Sequence, residues 1–357
     1  MVDQVDLFAD IIGHSAVIAL LRTEAVNPAQ AYLFVGPAST GKASAARRFA
    51  AAMLCQDDSN CRRRVLNGAH PDVIVVEPEG RQSITVDQAR RTVAQASLAP
   101  LEANHKVFLF EEGGMMNDEA ANALLKTLEE PTRSTIFLIV AESEDDLPET
   151  VASRCRRVVF GRVSEDEVKD GLVALGIEPD QAERAARISG GRPGLALSLA
   201  TEPEVATFRR LWLSVPMRLP EHPGDAYLLA EEVAAAVEPL LAALKARQGD
   251  EAAGQEAEGA AARALRDRHT RSLKRASSSL YVSGLEILAG FYRDAAAAQF
   301  GGGVRNPDVP AKAFTAVHPA RAVRNASRVL ETVDALRANQ RPQLALANLF
   351  ADLGGDS

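Results

Sequence analysis

The chain has 357 residues, of which 46% are hydrophobic and 25% are charged, and these values are typical of a soluble protein with two or three domains. Its formal net charge of −8 excludes the strongly basic surface that a free-standing DNA-binding protein usually presents. No apolar run is long enough to span a bilayer and residues 1–10 carry no signal-peptide pattern, so we expect a cytoplasmic protein. The odd and sparse cysteine count, Cys55, Cys61 and Cys155, argues against a disulfide framework.

Short apolar runs alternate with segments of helical periodicity in the first half of the chain. The runs that predict strands are 31–35, 72–76, 107–110, 136–140 and 158–160. The segments that predict helices between them are 44–54, 86–96 and 118–129. Because strands that alternate with helices form a mainly parallel sheet covered on both faces, the sequence predicts an α/β domain over residues 1–161.

The strand pattern stops beyond this first domain. Ser164 and Glu167 form a capping-box pattern that starts a helix, and helical segments interrupted by glycine and proline follow. We therefore predict a small helical domain over 162–201 and an all-α C-terminal domain over 202–357. A stretch rich in Gly, Ala and Glu, with almost no large apolar residue, predicts a mobile loop near 248–262.

A basic run of arginine, lysine and histidine occupies residues 263–275 and is predicted to be helical. Its spacing places several charges on one face, which suits contact with a DNA backbone. The other interpretation is a solvated helix that pairs with the neighbouring acidic stretch, and it is the one we favour.

Residues 36–42 have the spacing of a phosphate-binding loop, with Gly36, Gly41 and Lys42 in place after a predicted strand. The glycines let backbone N–H groups close around phosphate oxygens, and the lysine adds a positive charge. The next residue is Ala43, which cannot coordinate magnesium, and Ser44 lies roughly 100° further around the helix. The sequence therefore favours a relic loop, or a weak nucleotide-binding form of it, over an active ATPase site.

Two further motifs flank the fourth predicted strand. Residues 122–131 read Asn-Ala-Leu-Leu-Lys-Thr-Leu-Glu-Glu-Pro, and Ser153-Arg154-Cys155 precedes the fifth strand. With the loop, these motifs resemble the clamp-loader branch of the AAA+ ATPases over nearly the whole chain. The resemblance implies an AAA+ P-loop parallel-sheet domain, then a small helical lid, then an all-α C-terminal collar. The tail helices 326–336 and 344–353 resemble the family's oligomerisation helices, although their apolar stripes suit any helical core.

The resemblance also implies a function, namely that of a subunit of the DNA polymerase III clamp loader, which loads the sliding clamp onto primed DNA. The implied partners are the gamma/tau and delta subunits, with the sliding clamp and primer–template DNA reached through the complex, and no membrane. We favour a non-motor subunit. The main alternative is an ATP-hydrolysing gamma/tau motor subunit, and a third is an AAA+ scaffold outside replication.

Several positions depart from the motor-subunit pattern of the family. Ala43 replaces the Ser or Thr of the loop, and Glu111 and Gly114 replace the first and last Asp of the acidic motif that follows the third strand. Gly194 occupies the position that matches the sensor arginine, whereas Glu112 still matches the catalytic glutamate. We expect an inactive ATPase that requires no cofactor, with weak binding of ATP or phosphate at the loop.

Arg154 is the residue to which the resemblance assigns a catalytic role. In the family, the arginine of this motif reaches the ATP bound by the neighbouring subunit, where a guanidinium offsets the charge that develops on the γ-phosphate. The alternative is an arginine that forms a salt bridge within its own chain. We interpret the adjacent Arg156 and Arg157 as charges flanking the fifth strand.

The family also carries a four-cysteine zinc-binding insertion ahead of a Gly-x-His-Pro-Asp segment, which here contains His70. The insertion of this chain holds Cys55 and Cys61 without Cys-x-x-Cys pairs, and structural zinc requires four ligands. We predict two free thiols and no metal. The alternative is a site in which Asp57 or Asp58 completes a set with the two cysteines and the histidine.

Overall fold

The computed structural model describes residues 6–78, 83–130, 132–253, 260–337 and 340–355. Within those ranges, side chains are described except at 244, 247–253, 260–269, 271, 272, 274, 275 and 337. The chain forms two compact units, residues 1–197 and residues 198–357, which are described in turn. The division into three domains, with boundaries after 161 and 201, stays a prediction.

Five parallel strands form the sheet of the first unit, in the order β2-β3-β4-β1-β5. The strands are β1 (Ala31–Val35), β2 (Val73–Val75), β3 (Lys106–Phe110), β4 (Thr135–Ala141) and β5 (Arg156–Val159). Every residue of β1, β3 and β4 is buried, as expected for central strands of a parallel sheet with both faces covered. The α/β prediction is therefore confirmed, and each predicted strand overlaps an observed one.

Six helices accompany this sheet within the described part of residues 6–159. They are α1 (Ser15–Glu24), α2 (Lys42–Leu54), α3 (Ser59–Leu66), α4 (Val86–Ala96), α5 (Asp118–Glu129) and α6 (Glu149–Ala152). The predictions give the bounds of α4 and α5 correctly, and α2 starts earlier than predicted. Helices α1, α3 and α6 are absent from the prediction. Asp58 caps the start of α3, because its carboxylate accepts hydrogen bonds from the backbone N–H groups of Asn60 and Cys61.

Two hydrophobic cores cover the two faces of the sheet and fix its position between the helices. On one face, Phe49 of α2 lies edge-on to Tyr32 of β1, with ring centroids 4.9 Å apart. On the other face, Phe108 of β3 stacks on Phe137 of β4 at 5.4 Å, and Leu124 of α5 is buried against the same core. The loops at the carboxyl ends of the strands are thus held by buried elements on both sides.

The remainder of the first unit is helical. The helices are α7 (Glu165–Ala174), α8 (Pro179–Ser189) and α9 (Pro193–Thr201), the last of which runs across the division between the units. The predicted capping box of Ser164 and Glu167 is confirmed at the start of α7. These helices lie close to the N-terminal segment, since a Cβ atom added at Gly171 would lie 2.5 Å from Ile12 Cγ2. Glycine is required here because the Ile12 side chain lies directly against the backbone of α7.

The second unit is helical in every regular element that the structure describes within 198–355, which confirms the prediction of an all-α region. Its helices are α10 (Pro203–Ser214), α11 (Pro223–Ala235), α12 (Val237–Ala253), α13 (Ala260–Ala298), α14 (Ala311–Thr315), α15 (Pro319–Arg337) and α16 (Pro342–Gly355). Trp212 is fully buried at its centre, and a Cβ at Gly284 would lie 2.0 Å from the indole ring. Across the described ranges, no helix combines the length and the apolar content needed to cross a membrane.

The prediction of a mobile loop near 248–262 is wrong over most of that span. Helix α12 continues to Ala253 and α13 already begins at Ala260, while 254–259 lie outside the described residues. The stretch consists largely of Ala, Glu and Gln, which are strong helix formers even where they bury little apolar surface. Low hydrophobicity was therefore a poor guide to backbone structure here.

Asp72 connects the start of β2 to the loop that precedes β3. Its carboxylate is fully buried and accepts hydrogen bonds from the backbone N–H groups of Leu101, Glu102 and Ala103, at 2.6, 2.8 and 2.9 Å. Burial disfavours the charged form, but the three donors outweigh it and hold the pKa of Asp72 below its ordinary value of 3.8. The side chain therefore fixes this loop as an anion.

We expect Asp72→Asn to lower the free energy of unfolding by about 1–3 kcal/mol near neutral pH, because the amide turns a donor toward buried N–H groups. A carboxylate with a depressed folded-state pKa stabilises the fold above its unfolded-state pKa and loses that contribution as pH falls through the folded-state value. The difference in the free energy of unfolding between wild type and variant should therefore become smaller as the pH falls below 3.8, the ordinary pKa of an aspartate. Urea denaturation at a series of pH values from neutral to acidic measures this difference, and Asp57→Asn, at an exposed position, is the control. A difference in the free energy of unfolding that does not depend on pH would contradict the prediction.

Candidate functional site

The loop that joins β1 to α2 turns at the two glycines of the predicted phosphate-binding motif. Gly36 has a φ of 148°, and a Cβ there would lie 2.0 Å from the carbonyl oxygen of Phe160. Gly41 has a φ of 96° and is the residue from which α2 starts. Both glycines are thus required by the turn, as the spacing of the motif predicted. The loop places Gly36, Gly41 and Lys42 together at the carboxyl end of the sheet.

Lys42 directs its charge toward its own loop. The side chain is buried, and Nζ donates hydrogen bonds of 2.6 Å each to the carbonyl oxygens of Gly36 and Pro37. Burial lowers the pKa of Lys42, and the carboxylates of Glu142 and Asp146 oppose that shift. A phosphate that entered the loop would have to compete with these carbonyl groups for the ammonium group.

Two other contacts hold the loop backbone from outside. His14 Nε2 lies 3.1 Å from the carbonyl oxygen of Thr40, and burial lowers the pKa of this histidine. The N–H group of Gly194 donates to the carbonyl oxygen of Ser39 at 2.9 Å. A Cβ at position 194 would meet the same oxygen at 3.0 Å, so the residue matched to the family's sensor arginine contacts the loop through its backbone.

Arg47 was not identified from the sequence, although it changes the chemistry of the acidic motif. Its guanidinium group forms a two-pronged ion pair with Glu111, through Nε to one carboxylate oxygen and through Nη2 to the other at 2.7 Å. Such paired, charge-assisted bonds are among the stronger hydrogen bonds in proteins. Glu111 is the residue matched to the first acidic position of the family pattern, and a metal ion at its carboxylate would have to displace the arginine.

The turn after Glu111 has room for glycine alone at two consecutive positions. A Cβ at Gly113 would lie 2.4 Å from Ile139 Cγ2, and one at Gly114 would lie 2.9 Å from the Cβ of Asp146. The Asp146 carboxylate in turn accepts hydrogen bonds from the N–H groups of Glu142 and Ser143. An aspartate at position 114, as in the motor pattern, would therefore meet another carboxylate at close range.

Arg154 lies just after α6, between buried anchors and an exposed surface. Val151, Ala152 and Cys155 are buried in the core on this face of the sheet, and burial raises the pKa of the Cys155 thiol to about 12. The guanidinium group of Arg154 donates to the carbonyl oxygen of Thr150 at 2.6 Å and to the carboxylate of Glu129 at 2.5 Å. These contacts join the two sequence motifs that flank β4, and neither partner belongs to the phosphate loop.

Arg156 and Arg157 lie within β5, so the interpretation of them as charges flanking that strand is wrong, and each has a partner within the chain. Arg156 pairs with Glu24 of α1 and Arg157 with Glu144, both at 2.9 Å. Their side chains are about half exposed, and the charge of each is paired with a carboxylate of the same chain. The basic run 263–275 lies in α13, as predicted, but most of its side chains are outside the described set, and its two interpretations remain open.

The prediction of free thiols at Cys55 and Cys61 is wrong, because these residues form a disulfide bond. The end of α2 and the start of α3 bring their Cα atoms to 5.4 Å across a sequence separation of six residues, a distance that suits the bridge. A cysteine count that excludes a framework of several bridges does not exclude one local bridge. Among the described residues, no group of three or more His, Cys, Asp or Glu side chains is arranged to hold a metal ion.

We expect the bridge to stabilise the oxidised protein by restricting a short loop of the unfolded chain. Cys61→Ser should lower the free energy of unfolding by roughly 2 kcal/mol. Reductant should produce a similar loss in wild type and none in the variant, which serves as the internal control. Elemental analysis of the oxidised protein should give well under one zinc per molecule. The prediction of a disulfide bond without zinc would be contradicted by two results together. These are three titratable thiols in unfolded wild-type protein that has not been reduced, and one zinc per chain.

Comparisons with known proteins agree with the motifs. A family model described as DNA polymerase III, delta subunit, matches residues 13–164. The DNA polymerase III subunit delta' of Pseudomonas aeruginosa is 37% identical over 176 residues, which cover 46% of this chain and 54% of that protein. The subunit delta' of Bacillus subtilis is 29% identical over 209 residues, covering 57% and 63% respectively.

Subunits named tau are also among the relatives. The DNA polymerase III subunit tau of Bacillus subtilis is 33% identical over 171 residues, which cover 45% of this chain and 30% of that protein. The chain thus spans between about a third and two thirds of the length of these three relatives. A crystal structure of a gamma subunit-related protein from Thermotoga maritima aligns over 95% of this chain and 98% of its own, with 17% identity and a TM-score of 0.44.

Proposed function

We infer that this chain, which belongs to the clamp-loader branch of the AAA+ family, serves as the non-motor delta-prime subunit of a DNA polymerase III clamp loader. In this role it assembles with the gamma/tau and delta subunits and hydrolyses no ATP itself. It contributes Arg154 to the ATP site of the adjacent subunit. It reaches the sliding clamp and primer–template DNA through the complex, which loads the clamp onto primed DNA.

The observation that carries this proposal is the internal pairing of the groups that an ATPase would use. Lys42 donates to two carbonyl oxygens of its own loop, and Glu111 is paired on both carboxylate oxygens with Arg47. Ala43 offers no hydroxyl to a magnesium ion. The residues present therefore do not fit Mg²⁺–ATP as a resident group. The loop retains its backbone N–H groups, which support at most weak binding of ATP or phosphate.

A motor subunit of the gamma/tau type is the second candidate, because a tau subunit is among the relatives and Glu112 stands at the catalytic position. Such a subunit needs a magnesium ligand after the loop lysine and an acidic residue at position 114. The chain has Ala43 at the first position, and the second has no space for a side chain beside Asp146. These two features favour the non-motor role.

Arg154 suits action in trans because its guanidinium group is partly exposed at the end of a short, well-anchored helix. The side chain is 35% exposed, while Val151 and Ala152 beside it are buried. A guanidinium held at a subunit boundary can donate to the γ-phosphate oxygens of a neighbouring ATP and offset the charge that develops there during hydrolysis. Loss of such a residue affects the neighbour's chemistry and leaves this chain's own fold intact.

The purified chain should show no ATP hydrolysis above background with or without magnesium. The reason is that the loop lysine and the carboxylate at position 111 are already paired and residue 43 cannot bind a metal ion. A phosphate-release assay measures this, with Lys42→Ala as the matched control for a contaminating ATPase. Steady magnesium-dependent turnover that disappears in Lys42→Ala would contradict the non-motor role.

In a reconstituted clamp loader, Arg154→Ala should leave assembly intact and slow hydrolysis at the adjacent ATP site. Loss of an arginine of this kind commonly costs roughly three to five orders of magnitude in the rate at one site. Total hydrolysis should fall only in part, because the other sites are unchanged, and clamp loading should fall further. Gel filtration checks assembly, and DNA-stimulated hydrolysis and loading are then measured.

The control for this experiment is Arg157→Ala, which removes a half-exposed arginine close by in the chain and breaks one surface ion pair. It is a milder control than Arg156→Ala, whose partner Glu24 is largely buried. Both should behave like wild type in loading. Full loading by an assembled Arg154→Ala complex would reduce Arg154 to a salt-bridge residue, and failure to assemble would assign it to the interface.

A further inference from the structure

We propose that Glu129 is the residue that positions the Arg154 guanidinium group for catalysis in trans. This inference rests on the proposed function, because it assigns a role toward the same neighbouring site. It comes from the contact between the end of α5 and the end of α6, which joins the Leu-Glu-Glu sequence before residue 131 to the Ser-Arg-Cys motif. The sequence gives no sign of this contact, since the two residues are 25 positions apart.

The guanidinium group is fixed at two points that belong to different elements. Nη2 lies 2.5 Å from the Glu129 carboxylate, and Nη1 lies 2.6 Å from the carbonyl oxygen of Thr150. Helix α5 is anchored by the buried side chains of Leu124 and Leu128. Both points of attachment therefore move little, and together they restrict a long side chain that would otherwise sample many rotamers.

The two contacts leave donors available for a ligand. An arginine carries five N–H groups, and these hydrogen bonds use two of them. The remaining N–H groups, including that of Nε, can donate to phosphate oxygens presented by a neighbouring subunit. Glu129 thus holds the guanidinium group in place without occupying all the donors that catalysis would need.

A stabilising role does not explain the pair. The side chains of Arg154 and Glu129 are 35% and 47% exposed, and ion pairs at that exposure add little to the free energy of folding. Positioning, by contrast, has a large effect on rate, since a misplacement of about 1 Å can cost a hundredfold. The pair should consequently affect the rate of hydrolysis far more than the melting temperature of the chain.

The test is a set of reconstituted clamp loaders in which only the ATP site next to this chain is active, the other sites being disabled at their loop lysines. The chain is supplied as wild type, Glu129→Ala, Glu129→Gln, Arg154→Ala or the double variant Glu129→Ala/Arg154→Ala. Glu130→Ala, which changes the exposed neighbour of Glu129, is the matched control. Single-turnover hydrolysis gives the rate at this site, and the dependence on ATP concentration gives the KM.

We expect Glu129→Ala to slow hydrolysis by roughly tenfold to a hundredfold with little change in KM. Glu129→Gln keeps an oxygen acceptor and should recover most of the rate. The double variant should be no slower than Arg154→Ala alone, because Glu129 acts through the arginine. Glu130→Ala should match wild type, and the melting temperatures of all the variant chains should agree closely.

Three results would overturn the inference. Unchanged hydrolysis in Glu129→Ala, while Arg154→Ala is slow, would remove the role of Glu129 and leave the proposed function standing. Faster hydrolysis in Glu129→Ala would make the carboxylate a latch that holds the arginine back. Unchanged hydrolysis in Arg154→Ala itself would refute the proposed function and this inference together.

Discussion

The buried ammonium group of Lys42 constrains the phosphate loop and, through it, much of the candidate site. A buried charge must find hydrogen-bond partners, and here Nζ finds them in the carbonyl oxygens of Gly36 and Pro37. The same loop accepts further contacts from His14 and Gly194, at its Thr40 and Ser39 carbonyl groups. The loop is therefore held by groups of the chain itself.

Internal pairing also occupies the acidic motif after β3, a strand that is separated from β1 by β4 in the sheet. Arg47 pairs with the carboxylate of Glu111, and the turn at Gly114 leaves no space beside Asp146. The first contact pairs a carboxylate that could otherwise bind magnesium, and the second leaves no room for a carboxylate side chain at position 114. Under the proposed function, these internal pairs take the place of nucleotide chemistry in this chain, and the partly exposed Arg154 at the end of α6 acts on the neighbouring subunit.

Much of the fold follows from the sequence because its signals are local. The apolar runs of β1 and β4 are uninterrupted, and α5 carries both a cap at Asn117 and an apolar stripe, so each could be placed to within a residue or two. Of the helices that were missed, α3 and α6 are short, and α1 begins without a side-chain cap at His14. The glycines and the lysine of the loop were identified because their spacing is set by the turn itself.

The contacts that decide the chemistry of the site could not be predicted in the same way. Arg47 and Glu111 are 64 residues apart, so only the packing of α2 beside β3 brings them together. The disulfide spans six residues, yet it depends on how α2 ends and α3 begins, which composition does not reveal. The departures at Ala43 and Gly114 can be seen in the sequence. The contacts that Arg47 and Asp146 make near these positions can be seen only in the structure.

The most direct measurement is the position of the Arg154 guanidinium group in a structure of the assembled clamp loader with a non-hydrolysable ATP analogue. If Arg154 acts in trans, its guanidinium nitrogen atoms should lie roughly 3 Å from γ-phosphate oxygens of the nucleotide on the neighbouring subunit. The account also predicts that Lys42 and Arg47 keep the partners they have in this chain alone. An analogue bound in the loop of this chain, with magnesium on Glu111 and Arg154 remote from any phosphate, would contradict it.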